Sequence, residues 1–456
     1  MGQDARTIDA LAPVLPCAAD HDAKSACPEP DHNGVGSSRR WEADLAPLGA
    51  VPSHVEPDAG VRAPAHLSPS RWSAFRDRAS SGTSVGPGAS ASIGGGAYVR
   101  VLSQPAGARL YRVRKLGGDG EFATITEALA QWNLDKHTIA GPLAAVIELD
   151  DSGAYCEAPA FLIEPGEYVQ LRAAHMARPV LRIAEGNRAQ GFAVRGGAGS
   201  RFVLDGVMLD GGAIDIASAH PVVRASAGVA GFSVRLSHCT LVPGWDPDCM
   251  QRAPWRGDAS ISLHGAALAL RIEHCILGPL RVAANTAPAH ALQLHVGDSI
   301  IDGGHDAALA ISDSGYGAAM ASADFCRVTV IGAIELHQLG WAENSVFLGA
   351  VLVSQCGAGC LSYCYLGPGS RTPLRSYCQP ELAQGQGADP EHEALRVRPR
   401  YVSLHYGAPG YACLAPDCAA EITCGAGDGT GMGALHHQRQ ASPMAVASPR
   451  QPFAPV

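Results

Sequence analysis

The chain has few charged and few aromatic residues for its length, and it contains no long apolar run. Asp, Glu, Lys and Arg make up 17% of its 456 residues, and Phe, Trp and Tyr make up 6%. The formal net charge of −9 argues against a broad basic face, so we expect no nucleic-acid partner. Because no stretch of about 18 consecutive apolar residues occurs, we also expect no membrane-spanning helix.

The chain also lacks the usual export and zinc signatures. Its first residues, MGQDARTIDALAPVLPCAAD, have neither a basic start nor a continuous apolar segment. This absence predicts a protein that is cytoplasmic as synthesised, in which most of the 14 cysteines are free thiols. No CxxC pair occurs between Cys356 and Cys424, so the zinc signal is weak and buried thiols are favoured over a thiolate–zinc clip.

Glycine and proline are abundant, with 53 and 32 residues. Residues 1–95 are dominated by Ala, Pro, Ser and Gly without a periodic apolar face, and we predict a disordered, low-complexity segment there. The tail 436–456 has a similar composition and receives the same prediction. Between these ends, short apolar runs alternate with turn residues, which is typical of an all-β protein.

One amphipathic helix is predicted at 124–132. Thr124 and Glu127 form a capping box, and Ile125, Leu129 and Trp132 fall on one apolar face at helical spacing. So short a helix is marginal alone and needs a surface to cover. We expect it to close the exposed end of a β-structure.

The strand-like runs that follow share a recurring pattern of a polar residue, two or three apolar residues and a turn. SHC and EHC recur, as do LDGG and IDGG, and like residues at equivalent positions indicate stacked parallel coils. A sandwich would show hairpin signals and a propeller would show an even period. We therefore predict a right-handed parallel β-helix over 96–370, followed by a C-terminal capping segment over 371–435. The positions set in register are Gly206, Cys239, Cys275, Ser299, Val328, Ser345 and Cys364.

The stretch GGDGEFATITEAL resembles the opening of the pectin-lyase-like superfamily of right-handed parallel β-helices. Residues 94–435 more narrowly resemble a group of uncharacterised bacterial β-helix proteins, through GSRFVLDG, HCTLVPGW, ENSVFLG, GPGSRTP and DCAAEI. That group is associated loosely with phage-tail-like gene neighbourhoods. Both ends of this chain depart from the pattern, which motivates the hypothesis that they are truncated or out of frame.

The resemblance implies two classes of function. The first is a non-catalytic structural or recognition module of a bacterial assembly, which binds protein or glycan through its loops. The alternative is a polysaccharide lyase or glycoside hydrolase with a site on the outer face of the β-helix. Under the alternative, the candidate catalytic residues are Asp205, Asp210, Asp302, Arg252 and Arg256.

No complete catalytic signature is present, so the non-catalytic function is favoured. The Asp-Gly pairs, and Asp215 close to them, are also ordinary turn chemistry. The insertion 243–258 carries Trp245, Arg252, Trp255 and Arg256, an aromatic and cationic set that suits binding of sugar or protein. His238 and His274 precede cysteines at matched positions, where alternation predicts Cys inward and His outward. We expect no cofactor and no metal, and the oligomeric state is left open.

Overall fold

The structure is a computed structural model that describes residues 93–95, 102–115, 118, 121–138, 144–183, 191–218, 231–242, 259–265, 267–283, 292–387, 389–406 and 410–435. These residues form a parallel β-helix, as the sequence predicts. Each coil passes through three strands in turn, and every named strand pairs in parallel with strands of neighbouring coils. We call the three resulting sides face 1, face 2 and face 3, in chain order.

The strands of face 1 form one continuous parallel ladder along the solenoid. They are β1 (Arg109–Val113), β2 (Ala144–Leu149), β5 (Tyr168–Ala173), β8 (Arg201–Asp205), β11 (Phe232–Ser237), β14 (Leu268–Glu273), β17 (Leu292–Gly297), β20 (Ala319–Cys326), the second half of β22 (Ala333–Glu343), β25 (Cys360–Ser362) and β27 (Leu374–Ser376).

Face 2 is a sheet of nine short strands. They are β3 (Ala154–Tyr155), β6 (Val180–Arg182), β9 (Met208–Asp210), β12 (Thr240–Val242), β15 (Ile276–Leu277), β18 (Ile300–Asp302), β21 (Thr329–Ile331), β23 (Val346–Phe347) and β26 (Tyr365–Leu366).

Face 3 joins face 1 through β22, which bends around the corner without a break and pairs on both faces. The other strands of face 3 are β4 (Ala160–Ile163), β7 (Phe192–Gly196), β10 (Ile214–Ser218), β13 (Ile261–His264), β16 (Leu280–Val282), β19 (Leu309–Asp313) and β24 (Val351–Gln355).

The corner between face 1 and face 2 is the most regular part of the solenoid. From β8 onward a two-residue turn connects the faces, and its first residue has a left-handed backbone conformation, with φ between 47° and 77°. The second residue points into the bore and is buried. The left-handed residues are Gly206, His238, His274, Asp298, Arg327, Asn344 and Tyr363, and Tyr377 repeats the conformation one coil later.

This corner corrects one register prediction. Met208 pairs with Thr240, so Val207 rather than Gly206 is equivalent to Cys239. Gly206 instead occupies the left-handed position of His238. The remaining positions set in register are equivalent, because the strands after them pair in order. As predicted, the cysteines point inward and the two histidines outward, where their rings stack with centroids 4.8 Å apart.

The predicted helix is present and slightly longer than expected. Helix α1 (Ile125–Lys136) begins after Thr124, whose side chain accepts a hydrogen bond from the Glu127 amide. It lies between β1 and β2 in the chain and contacts both. Ile125, Leu129 and Trp132 are buried in the same apolar core as the bore of the solenoid. The helix therefore continues the core at the N-terminal end.

The C-terminal segment does more than cap an end. Residues 374–379 add a last coil, so the solenoid extends past the predicted boundary at 370. Helices α2 (Glu381–Gln386) and α3 (Pro390–Arg396) follow, and α4 (Ala420–Thr423) belongs to a segment that packs on the outside of face 2. There Ile422 and Met432 join a second apolar core with the outward residues of face 2, Ile300 and Val346 among them.

Residues 93–95, which fall within the predicted disordered segment, also contact the solenoid. The Gly94 amide donates to the carbonyl of His274 at 2.7 Å, and the Gly95 amide donates to Thr240 Oγ1 at 2.9 Å. Ile93 packs against the second apolar core. Segments that precede and follow the solenoid in the sequence therefore both pack on face 2. The predicted disordered segments, apart from residues 93–95, lie outside the described residues.

Replacing Trp132 by alanine should destabilise the N-terminal end. The Trp132 side chain is fully buried, so its loss leaves a cavity, and we expect the free energy of unfolding to fall by about 3–5 kcal/mol. Urea unfolding followed by circular dichroism measures this change. Leu134→Ala on the same helix is the control, because Leu134 is 66% exposed, and it should change stability by less than about 0.5 kcal/mol. Equal effects of the two variants would contradict the packing described for α1.

Candidate functional site

After β2, the longest connections between strands border face 3 of the solenoid. Residues 183–191, 243–260 and 303–308 lead into its strands, and residues 219–231 and 283–291 lead out of them. From β8 onward, the corner between faces 1 and 2 keeps its two-residue turn. Because variable loops on a regular scaffold are where binding residues concentrate, face 3 is the candidate functional surface.

Three charged or ionisable side chains meet on the outer surface of face 3. Arg195 of β7 forms an ion pair with Asp215 of β10, and its Nη1 also donates to the Asp215 carbonyl at 2.8 Å. His264 of β13 places Nε2 2.9 Å from Asp215 Oδ1. These side chains come from three consecutive coils and are 37%, 32% and 48% exposed, so a ligand in solvent can reach all three.

The register explains why these side chains converge. Arg195 and His264 both align with Ala217, which lies between them in one outward column. Asp215 lies two residues before Ala217 on the same strand, and side chains two apart project from the same side of a sheet. The small side chain of Ala217 leaves room for both neighbours to lean towards the carboxylate.

The polar surface continues along face 3 towards the C-terminus. Ser262 aligns with Asp215, and Arg281 aligns with Ser262 on the next coil. Arg281 is buried, which lowers the pKa of its guanidinium, and its Nη1 and Nη2 each donate to a backbone carbonyl at 3.0 Å. The ring of Tyr316 lies over this guanidinium, with 5.5 Å from Cζ to the ring centroid.

Tyr316 is an exposed aromatic in a fixed loop. It is 63% exposed and has φ of 64°, an uncommon conformation for an aromatic residue. Asp313 Oδ1 accepts hydrogen bonds from the amides of Gly315 and Gly317, at 2.8 and 2.6 Å, and so holds the turn. The loop presents a flat ring at the edge of face 3, beside the cationic side chain of Arg281.

A second charged cluster lies on face 1 and is buried. Glu273 accepts hydrogen bonds from Arg235 at 2.7 Å and from Arg271 at 2.6 and 2.9 Å. Burial alone would raise the pKa of this carboxyl, but the two guanidinium groups outweigh it and lower the pKa to about 2. Arg172 and Glu148 form a similar buried pair, with Nε 2.8 Å from Oε2. These groups satisfy one another, so we interpret this cluster as structural.

The carboxylates proposed for catalysis do not converge. Asp205 ends β8 on face 1, whereas Asp210 and Asp302 end β9 and β18 on face 2. Strands β9 and β18 are three coils apart, or about 14 Å at the usual strand spacing. Asp210 lies 3.3 Å from Arg182, and Asp302 accepts a hydrogen bond from Tyr411 at 2.7 Å. Neither arrangement is the facing carboxylate pair that glycoside hydrolysis requires.

The loop candidates Trp245, Arg252, Trp255 and Arg256 lie outside the described residues. Their loop is placed by its ends, which are β12 on face 2 and β13 on face 3. It therefore enters face 3 on the strand that carries His264.

Sequence reasoning missed several residues of this surface. It interpreted Asp215 as part of a turn, but Asp215 lies inside β10 and points outward. Arg195, His264 and Arg281 were not singled out. Their only sequence signal is that each directly follows an apolar residue in a strand-like run, which marks an outward position on a strand. Tyr316 could have been suspected from its place in the glycine-rich run DSGYG.

No metal site is formed within the part of the chain that the structure describes, where no three His, Cys, Asp or Glu side chains come together as ligands. The described residues also include no helix long and apolar enough to cross a membrane. No protein-family model matches the chain, and no curated protein matches it in sequence.

The buried Glu273 predicts a specific acid response. Its charged form is stabilised in the fold, so its contribution to stability is complete above the ordinary pKa of 4.5 and is lost as the pH falls towards about 2. Glu273→Gln should lower the free energy of unfolding at pH 7 by about 3 kcal/mol, because Arg235 and Arg271 lose their partner. Between pH 4.5 and 2 the variant should lose less stability than the parent protein.

Urea unfolding at several pH values measures this difference. Glu391→Gln is the control, because Glu391 is exposed on α3 and should leave the pH dependence unchanged. If Glu273→Gln and the parent lost stability in parallel below pH 4.5, the proposed ion-pair network around Glu273 would be wrong.

Proposed function

We propose that the protein is a non-catalytic recognition and structural module of a bacterial assembly, and that face 3 with its bordering loops binds a protein or glycan partner. The observation that carries this proposal is that face 3 combines long bordering connections with the exposed Asp215 cluster and the exposed ring of Tyr316. We also propose that the chain belongs to the pectin-lyase-like superfamily. The stacked parallel coils and the helix begun by Thr124 support that assignment.

The chemistry of face 3 favours binding over catalysis. Asp215 is already engaged by Arg195 and lies beside His264, so its carboxylate is an acceptor held in a fixed position rather than one of two spaced catalytic acids. Fixed donors and acceptors, together with the exposed ring of Tyr316, suit recognition of an extended polar chain. Placement in a phage-tail-like assembly and a cytoplasmic location remain proposals from the sequence.

Removing the polar cluster should weaken binding with little loss of stability. In the double variant Asp215→Ala/His264→Ala we expect affinity for the partner to fall at least tenfold. The unfolding free energy should change by about 1 kcal/mol or less, because the groups are partly exposed. Biolayer interferometry of the full chain against immobilised acidic and neutral polysaccharides tests whether the partner is a glycan. Pull-down from bacterial lysate by the parent protein, repeated with the double variant, tests whether the partner is a protein.

Arg112→Ala is the matched control, because Arg112 is an exposed charge on face 1. It should leave partner binding unchanged. Equal binding by the parent protein and the double variant would remove face 3 from the proposal, even where a partner is found.

The enzymatic alternative has one supporting observation, the contact between Asp215 and His264, since a carboxylate–imidazole pair can move protons. We expect no turnover when the full chain is incubated with the same polysaccharides, with and without Ca²⁺. Reducing ends report hydrolysis, and ultraviolet absorbance of unsaturated products reports elimination. Turnover that disappears in Asp215→Asn would overturn the non-catalytic proposal. Turnover that survives it would direct attention to Asp205, Asp210 and Asp302.

A further inference from the structure

Two cysteines occupy the same inward corner position on the last two coils of the solenoid. Tyr365 pairs with Gln379, so Cys364 and Cys378, the residues before them, face each other across neighbouring coils. Both are buried, with exposures of 0% and 3%, and each thiol donates to a backbone carbonyl, Cys364 to Ser362 at 3.2 Å and Cys378 to Ser376 at 3.5 Å. Both are free thiols in the structure.

The backbone spacing at this position suits a disulfide. Aligned residues of neighbouring parallel strands have Cα atoms about 4.8 Å apart, within the range of roughly 4.4–6.8 Å found for disulfides. Both side chains project into the same bore, so a small approach of the two strands would bring the sulfur atoms within bonding distance.

A second pair provides an internal comparison. Cys239 and Cys275 occupy the same corner position in the middle of the solenoid, and the Cys239 amide donates to Cys275 Sγ at 3.4 Å. The two cysteine pairs differ in how many strands pair with the strand beside them. Strand β15, beside Cys275, is paired on both sides, whereas β27, beside Cys378, pairs only with β25 among the described strands.

This difference decides which pair a solute can reach. In a solenoid each coil is held only by its neighbours, so a terminal coil opens at lower cost than a central one. Opening of the last coil would expose Cys378 first. The neighbouring Cys364 thiol also lowers the pKa of the Cys378 thiol, which favours its reactive thiolate form.

We propose that Cys364 and Cys378 are a redox modification site, which forms a reversible disulfide across the last two coils when the protein meets a peroxide. The Cys378 thiolate attacks one peroxide oxygen, the O–O bond breaks, and a sulfenic acid and water result. The Cys364 sulfur then attacks the Cys378 sulfur, the S–S bond forms, and the S–O bond breaks to release a second water. Two thiols are oxidised by two electrons, and one hydrogen peroxide is reduced to two waters.

The test treats the folded full chain with hydrogen peroxide, alkylates the remaining thiols under denaturing conditions and maps the unreduced peptides by mass spectrometry. We expect a linked Cys364–Cys378 peptide that is two hydrogens lighter than its parts, while Cys239 and Cys275 remain alkylated. The melting temperature should rise by roughly 5 °C and return on reduction, because the bond fastens the last coil.

Two variants distinguish oxidation of the Cys364–Cys378 pair from oxidation of other thiols in the chain. Cys378→Ser should abolish the linked peptide and the rise in melting temperature. Cys326→Ser should change neither, since Cys326 is equally buried but aligns with Gly297 and Glu343 rather than with a second thiol.

Two results would overturn the proposal. One is a Cys364–Cys378 pair that stays reduced, or proceeds to sulfinic acid, in folded protein. The other is formation of the Cys239–Cys275 bond at the same rate, because the position of the coil would then not decide reactivity.

Discussion

The architecture depends on one backbone constraint, the left-handed residue that opens each turn from face 1 to face 2 from β8 onward. A left-handed conformation costs a non-glycine residue roughly 1–2 kcal/mol, yet histidine, aspartate, arginine, asparagine and tyrosine all adopt it here. Interactions between neighbouring coils offset this cost. His238 stacks on His274, Arg327 forms a two-bonded ion pair with Asp298, and Tyr363 stacks on Tyr377. Since the turn keeps the same length, it fixes which residue of every coil points inward.

This constraint explains which features could be predicted from the sequence. The corner repeats without insertions, so like residues such as Cys239 and Cys275 recur visibly and reveal stacked coils. The first helix was predictable because its signals are local to Thr124 and Glu127. The misplacement of Gly206 has a simple cause. Glycine is natural at a left-handed position, and only strand pairing shows that the inward residue is the valine after it.

The candidate site was less predictable because it is assembled across insertions. Asp215 is separated from Arg195 and from His264 by connections whose lengths differ, so no spacing in the sequence links the three. The Asp-Gly pairs were visible but misleading. The Asp of each pair ends a strand, and the face on which that strand lies depends on the turn that follows it. Asp205 and Asp210 are close in sequence, yet a turn places them on different sides of the solenoid.

The two segments that flank the solenoid in sequence have a common destination. Ile93–Gly95 and the region around α4 both lie on face 2. Face 2 is thus the side on which both flanking segments pack, and its apolar outer residues are already covered by the chain itself. A support that holds the protein by either flanking segment would contact the same side. Held in that way, the solenoid would lie lengthwise along its support, and face 3, with Asp215 and Tyr316, would remain on a different side.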